Sequence, residues 1–231
     1  GVLHHLESPQ QGLAALNTVL KEDGAMMIMV YAKYGRTAIY QMQELMRQIN
    51  KDEEDLNVRV ENCRAILDSL PDSHWYQHSR SAFPDEETKK SIELYDLFLH
   101  SQDRAYSVPE LYEYVENEGL NILRLLPSRS HHGNALYRPE TYIKDDNVLK
   151  LVKTFPEREQ QSIAEMLNGM LIKHTFYAAK ESKSPPSLKN PDVVPVVDIN
   201  ASEGTYSALY AAACAATVSY THLRAHETRP Y

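Results

Sequence analysis

The chain has 231 residues and carries 24 Lys and Arg against 32 Asp and Glu, a formal net charge of -8 that argues against nucleic-acid binding through a broad basic surface. Its 42% hydrophobic content suits a globular domain with a tail, and no apolar run has the length of a membrane span. Its two cysteines, Cys63 and Cys214, lie far apart, which excludes a disulfide framework and a zinc spacing and fits a reduced, cytoplasmic protein.

Gly1 opens the chain inside what reads as the end of a strand, so the sequence is expected to be a piece of a longer protein, cut at its N-terminus. Ser8-Pro9-Gln10-Gln11 starts a helix: Ser8 caps, Pro9 takes the first helical position and Gln11 completes a capping box. Leu13, Leu16 and Leu20 follow at helical spacing, and Lys21 to Gly24 turns the chain. Ala25 to Tyr31, AMMIMVY, is a continuous apolar run, read as a strand buried on both faces. Together these make a βαβ unit of a parallel sheet.

Arg36 to Asn50 reads as a helix with Ile39, Met42, Met46 and Ile49 on one face. Val58 to Leu70 is a second helix, ended by Pro71, and Glu86 to His100 a third. Between them lies a long loop containing HWYQHSR, in which Trp75 is expected to anchor the segment to the core. Ser107-Val108-Pro109-Glu110 is a further capping box, Gly119 closes its helix, and LNILRLLP follows as a strand. Glu157 to Tyr177 is the strongest helical pattern, with Ile163, Met166, Leu167, Met170, Leu171 and His174 at one face, His174 as a hydrogen-bonded core residue. KESKSPPSLKNPDVVP reads as a linker. At the far end, VSYTHLRAHET (Val218 to Thr228) resembles the translation of a transposase-based sequencing adapter, so residues 218–231 are expected to be non-native and carry no site.

GVLHHLESPQQGLAALNTVLKEDGAMMIMVY resembles the region from the fourth to the fifth strand of class I S-adenosylmethionine-dependent methyltransferases, and SVPELYEYVENEGLNILRLL is similar to the following helix and sixth strand of that family. The resemblance covers Gly1 to about Tyr34 and Ser107 to about Pro127. It implies an α/β fold: a partial Rossmann-like methyltransferase sheet with a helical insertion and a helical C-terminal extension. The family's Gly-rich cofactor loop and its ribose-binding acid are not found in the chain and would lie upstream of Gly1. The implied organisation is a partial core over 1–35, a helical insertion or lid over 36–106, a core helix and sixth strand over 107–128, a C-terminal helical extension over 129–180, a linker and truncated element over 181–217, and the adapter-like tail over 218–231.

The resemblance implies S-adenosyl-L-methionine as cofactor and methyl transfer to an unidentified acceptor, whose receiving atom is nitrogen, oxygen, sulfur or carbon. The fragment is expected to be inactive as it stands. Ligands in open α/β sheets bind at the carboxyl ends of strands. This places Gly1, Leu3 and His4 beside the cofactor and makes His4 and His5 the candidate catalytic bases. Tyr31, Tyr34, Arg36, His100, Arg104 and Tyr106 are the candidate substrate contacts. Asp96, His100 and Asp103 would share one face of a continuous helix, as a metal triad or as a carboxylate network with Arg104; the network is favoured and no metal is assigned. His131-His132 is a loop pair without a third ligand. Two other readings stay open: another nucleotide-binding α/β enzyme, and a non-catalytic interaction module. No membrane partner and no strong nucleic-acid signal are expected.

Overall fold

The computed structural model describes residues 1–80, 90–100, 102–126 and 137–181, within one compact unit, Gly1–Ser184. His131, His132, the linker after residue 181 and the adapter-like tail lie outside the described residues. Among the described residues, no helix is long and apolar enough to cross a membrane.

The chain enters through a 3-10 turn, Leu3–His5, and helix α1, Pro9–Val19. The Ser8 hydroxyl accepts a hydrogen bond from the Gln11 amide at 3.3 Å, so the N-terminal cap forms where the sequence places it. Strand β1, Ala25–Ala32, follows. Next come α2, Thr37–Ile49, α3, Leu56–Ser69, and the short α4, Trp75–Ser79. Helix α5, Ser91–Leu94, runs into a π-helical turn, Tyr95–Leu99. Strand β2, Ala105–Tyr106, leads to α6, Val108–Glu116, whose capping box of Ser107 and Glu110 is complete. Gly119 then takes a φ of 68°, the left-handed conformation that glycine adopts without penalty, and β3, Asn121–Leu126, follows. Helices α7, Asp146–Val152, and α8, Glu157–Asn168, precede β4, Lys173–Ala179.

The strands form one sheet in the order β2-β1-β4-β3. β2 pairs with β1 in parallel, through Tyr31–Ala105 and Ala32–Tyr106. β4 is antiparallel to both β1 and β3, with a bulge against β3 between Ile122 and Arg124. β1 and β3 therefore run the same way and β4 is reversed between them. The sheet is α/β but mixed, where the βαβ pattern alone predicts parallel pairing.

The reversed strand corrects the predicted helix over Glu157–Tyr177. Gly169 ends α8 with a φ of 65°, and the chain turns into β4. The apolar face read from the sequence is not the buried one. Met166 and Leu167 are about half exposed, while Gln161, Ala164 and Glu165 face inward. Leu171 and His174 continue the helical spacing only by coincidence. His174 is buried and hydrogen-bonded as expected, but on a strand.

One sheet face is packed. Leu13 of α1 and Leu111, Tyr114 and Val115 of α6 cover Ile28, Val30, Phe176 and Ala178. The other face is open at Met27, which is 65% exposed, opposite Tyr177. The run AMMIMVY is thus covered on one side, against the sequence reading of burial on both. Among the described residues a second core forms, in which Ile39, Met42 and Met46 of α2 meet Cys63, Tyr76, Leu94 and Phe98. Ile49, expected on that face, is 42% exposed because it sits on the last turn of α2. Trp75 does not anchor this segment either; it is 66% exposed, and Tyr76 does the anchoring, edge-on to Phe98 at 5.2 Å. Burial pushes the Cys63 thiol up to about 12, which keeps it protonated and unreactive.

Candidate functional site

The carboxyl end of β1 gathers residues from four parts of the chain. Tyr31 is the last outward residue of the strand, and the 3-10 turn lays His4 and His5 against its ring. The Tyr31 ring centroid lies 3.9 Å from that of His4 and 5.4 Å from that of His5. The Arg36 guanidinium stacks over Tyr31 at 3.6 Å. His100, just past the π-helical turn, brings its ring within 4.4 Å of His5. One backbone bond fixes the turn to the returning chain: the Arg104 amide donates to the His4 carbonyl at 2.9 Å.

Beneath these rings sits a buried ion pair. Arg36 Nη2 lies 3.0 Å from Asp103 Oδ2, with the two side chains 3% and 1% exposed. Gln43 of α2 donates to the same Asp103 oxygen at 3.2 Å and to the Leu97 carbonyl at 3.0 Å. The Arg36 guanidinium also lies 5.7 Å from the Tyr40 ring. Burial drives the Tyr40 phenol upward, so it stays a neutral hydroxyl.

His4 and His5 differ sharply. His4 is 1% exposed, and its Nδ1 has no hydrogen-bond partner among the described residues. Burial, with the charges of His5, the N-terminal amine and Arg36 adding to it, lowers His4 from 6.5 to about 4. It is a neutral ring in the wall. His5 is half-buried, between the His4, Tyr31 and His100 rings.

Of the other candidates, Gly1 is exposed and faces the Met29 side chain, which a Cβ at that position would overlap. Leu3 is buried in the main core beneath the turn. Tyr34 is 38% exposed and, among the described residues, joins none of the ring stacks. Arg104 is exposed, with its guanidinium 5.0 Å over the Tyr106 ring. Tyr106 itself is buried in the core, tilted against Tyr114 at 4.8 Å.

The shared helical face of Asp96, His100 and Asp103 does not form. The π-helical turn ends at Leu99 and His100 is already extended, so Asp96 is left exposed while Asp103 turns inward to Arg36. Among the described residues, no group of three His, Cys, Asp or Glu is placed to hold a metal. The favoured network with Arg104 is replaced by the Arg36 pair.

Sequence reading named His174 as a hydrogen-bonded core residue but not the buried cluster around it. The His174 Nε2 donates to the Tyr106 carbonyl at 2.8 Å, and its Nδ1 accepts from the Tyr137 hydroxyl at 2.8 Å. Glu165 Oε1 lies 3.2 Å from the same Nε2, and Glu165 Oε2 accepts the Val108 amide at 2.8 Å, at the start of α6. His174 and Glu165 are buried completely, and burial raises the Tyr137 phenol far above its ordinary value. These groups tie β4, α8 and α6 together.

No family model matches the chain. It is 34% identical over 124 residues to an uncharacterized protein of Synechococcus sp., syc1184_c, a match covering 53% of this chain and 30% of that protein. Among solved structures, the fold is similar to PKMT2 from Rickettsia typhi, with a TM-score of 0.51 at 15% identity over 78% of this chain and 34% of that one. PKMT2 in complex with AdoHcy gives a TM-score of 0.53 at 14% identity, covering 79% of this chain and 35% of that one. The chain has the α/β fold of these PKMT2 structures and spans about a third of the length of each of these three chains.

Proposed function

We propose that the chain is part of an S-adenosylmethionine-dependent methyltransferase and supplies one wall of its site, the rest coming from a longer gene product. The observation that carries this reading is the reversed strand β4 between β1 and β3, with a cluster of rings at the carboxyl end of β1. Two further points support it: the resemblance of GVLHHLESPQQGLAALNTVLKEDGAMMIMVY to that family, and a fold match to a structure that holds AdoHcy, which is what remains of S-adenosylmethionine once its methyl is given.

The residues fit one side of such a cofactor. His4 Nδ1 is a buried polar atom in want of a partner, at the carboxyl end of β1 where ligands of such sheets bind. A bound cofactor would supply an activated methyl group. The chain's own part is to orient the acceptor, keep water out and take up a proton where the acceptor carries one. Calorimetric titration of AdoHcy into the intact gene product tests the reading, alongside transfer of labelled methyl to cell extract. Binding and label transfer are expected. An intact, folded product that binds no AdoHcy overturns it.

A further inference from the structure

His5 and His100 are held by one residue between them in the fold, and the two bonds point opposite ways. His5 Nδ1 lies 3.5 Å from the Gln102 carbonyl oxygen. The Gln102 amide N–H donates to His100 Nδ1 at 3.1 Å. A backbone carbonyl only accepts and a backbone N–H only donates. With Nδ1 as the donor in this long contact, neutral His5 keeps Nε2 as a lone pair. Neutral His100 accepts at Nδ1 and carries its proton on Nε2. The rings stand 4.4 Å apart, centroid to centroid, at the rim of the β1 end, next to the wall formed by Tyr31 and His4.

We propose that His5 and His100 form a matched acceptor and donor pair that receives a protic methyl acceptor, an amine, alcohol or thiol. This rests on the methyltransferase reading above and narrows its acceptor. Nε2–H of His100 holds a lone pair or neighbouring oxygen of the incoming group. Nε2 of His5 faces the hydrogen. As the bond from the acceptor atom to methyl forms, its bond to hydrogen breaks and the proton passes to His5 Nε2; the electron pair of the methyl–sulfur bond stays on the donor's sulfur and discharges it. A carbon acceptor with no acidic hydrogen gains nothing from this arrangement. His4 cannot take the role, since its ring is sealed into the wall behind Tyr31.

The assignment is testable without any methyl donor. The free histidine side chain in water favours the Nε2–H tautomer, so the proton on Nδ1 of His5 is the diagnostic state. Long-range proton–nitrogen correlation spectra of the histidine-labelled chain, recorded above neutrality, are expected to show His5 and His100 as opposite tautomers. Finding both as Nε2–H overturns the pair. In the intact gene product, His5→Gln is expected to lower kcat about 100- to 10,000-fold on a protic acceptor, the range for loss of a general base, while AdoHcy affinity changes less than about threefold. Unchanged kcat with AdoHcy still bound refutes the pair's catalytic role but leaves the methyltransferase reading standing. Loss of AdoHcy binding in the unsubstituted protein refutes that reading, and the tautomer spectra then decide whether the pair stands as a binding site for a protic group.

Discussion

Asp103 is the residue whose removal is expected to cost most at the site. Its carboxylate is the buried partner of Arg36 at 3.0 Å and takes the Gln43 amide as well. Asp103→Ala leaves the Arg36 guanidinium, 3% exposed, without a counter-charge. Breaking a buried pair from one side costs about 3–5 kcal/mol, because the remaining charge stays out of water. Asp103→Asn keeps an acceptor oxygen for Arg36 and loses the counter-charge, so its cost is expected to be smaller than that of Ala, about 1.5–3 kcal/mol. With a urea slope of about 2 kcal/mol/M, the unfolding midpoints fall by about 1.5–2.5 M for Ala and about 0.7–1.5 M for Asn. Arg36→Met combined with Asp103→Leu replaces both charges with apolar groups and is expected to recover most of the loss. Urea unfolding of the unsubstituted protein, Arg36→Met, Asp103→Leu and their double variant, read by circular dichroism, closes a double-mutant cycle. Additive losses, or a fall below about 0.5 M for Asp103→Ala, would show that the pair is screened by water and that the burial argument is wrong.

Three further outcomes follow from single residues. Folded His4 gives up its proton down to about pH 4, while the unfolded ring takes one below about 6.5, so acid favours the unfolded chain; stability is expected to fall by up to about 1.4 kcal/mol per pH unit between these limits, and His4→Leu to flatten that slope in urea titrations at pH 7, 6 and 5. A Cβ at Gly35 would overlap the Leu171 carbonyl, which is backbone and cannot swing aside, so Gly35→Ala is expected to lower thermal stability by more than about 2 kcal/mol, the scale of overpacking. Tyr76→Ala opens the second core and is expected to cost about 3–5 kcal/mol, as for other large aromatic truncations, whereas Trp75→Ala stays within about 0.5 kcal/mol; since Trp75 is the single tryptophan, its red-shifted, readily quenched fluorescence checks the exposure directly.

Sequence reading succeeded where one local signal fixes one local structure. The Ser8-Pro9 start of α1 and the Ser107–Glu110 box of α6 each satisfy orphan amides within one turn, so a few residues suffice. It failed where the deciding partner is distant. β4 looked helical because Leu171 and His174 extend a spacing that Gly169 interrupts; only its pairing with β1 and β3 makes it a strand. The face that α8 buries carries Gln161 and Glu165, whose partners Tyr112 and Val108 lie on α6 and are invisible to a hydropathy pattern. At the site, His4, His5, Tyr31 and Arg36 were named from strand-end position and His100 from a helical spacing that does not form, and the structure brings all five into one stack. Gln102 was not named, because it works through its backbone and any non-proline residue there has the same donor and acceptor.

The position of the Arg36–Asp103 pair gives a reason for charge in a place where apolar residues would be at least as stable. The two residues flank the second core: Arg36 precedes α2 and Asp103 follows the π-helical turn, 67 positions on. A hydrophobic contact at that junction would tolerate sliding by a fraction of a turn. A guanidinium held against one carboxylate oxygen, with Gln43 on that same oxygen, tolerates far less. The pair fixes where residues 36–103 leave and rejoin the sheet, and the same register sets Gln102 between His5 and His100. If so, the Arg36→Met and Asp103→Leu double variant regains stability but loses the opposite tautomers of the two histidines, separating the pair's contribution to folding from its contribution to the site.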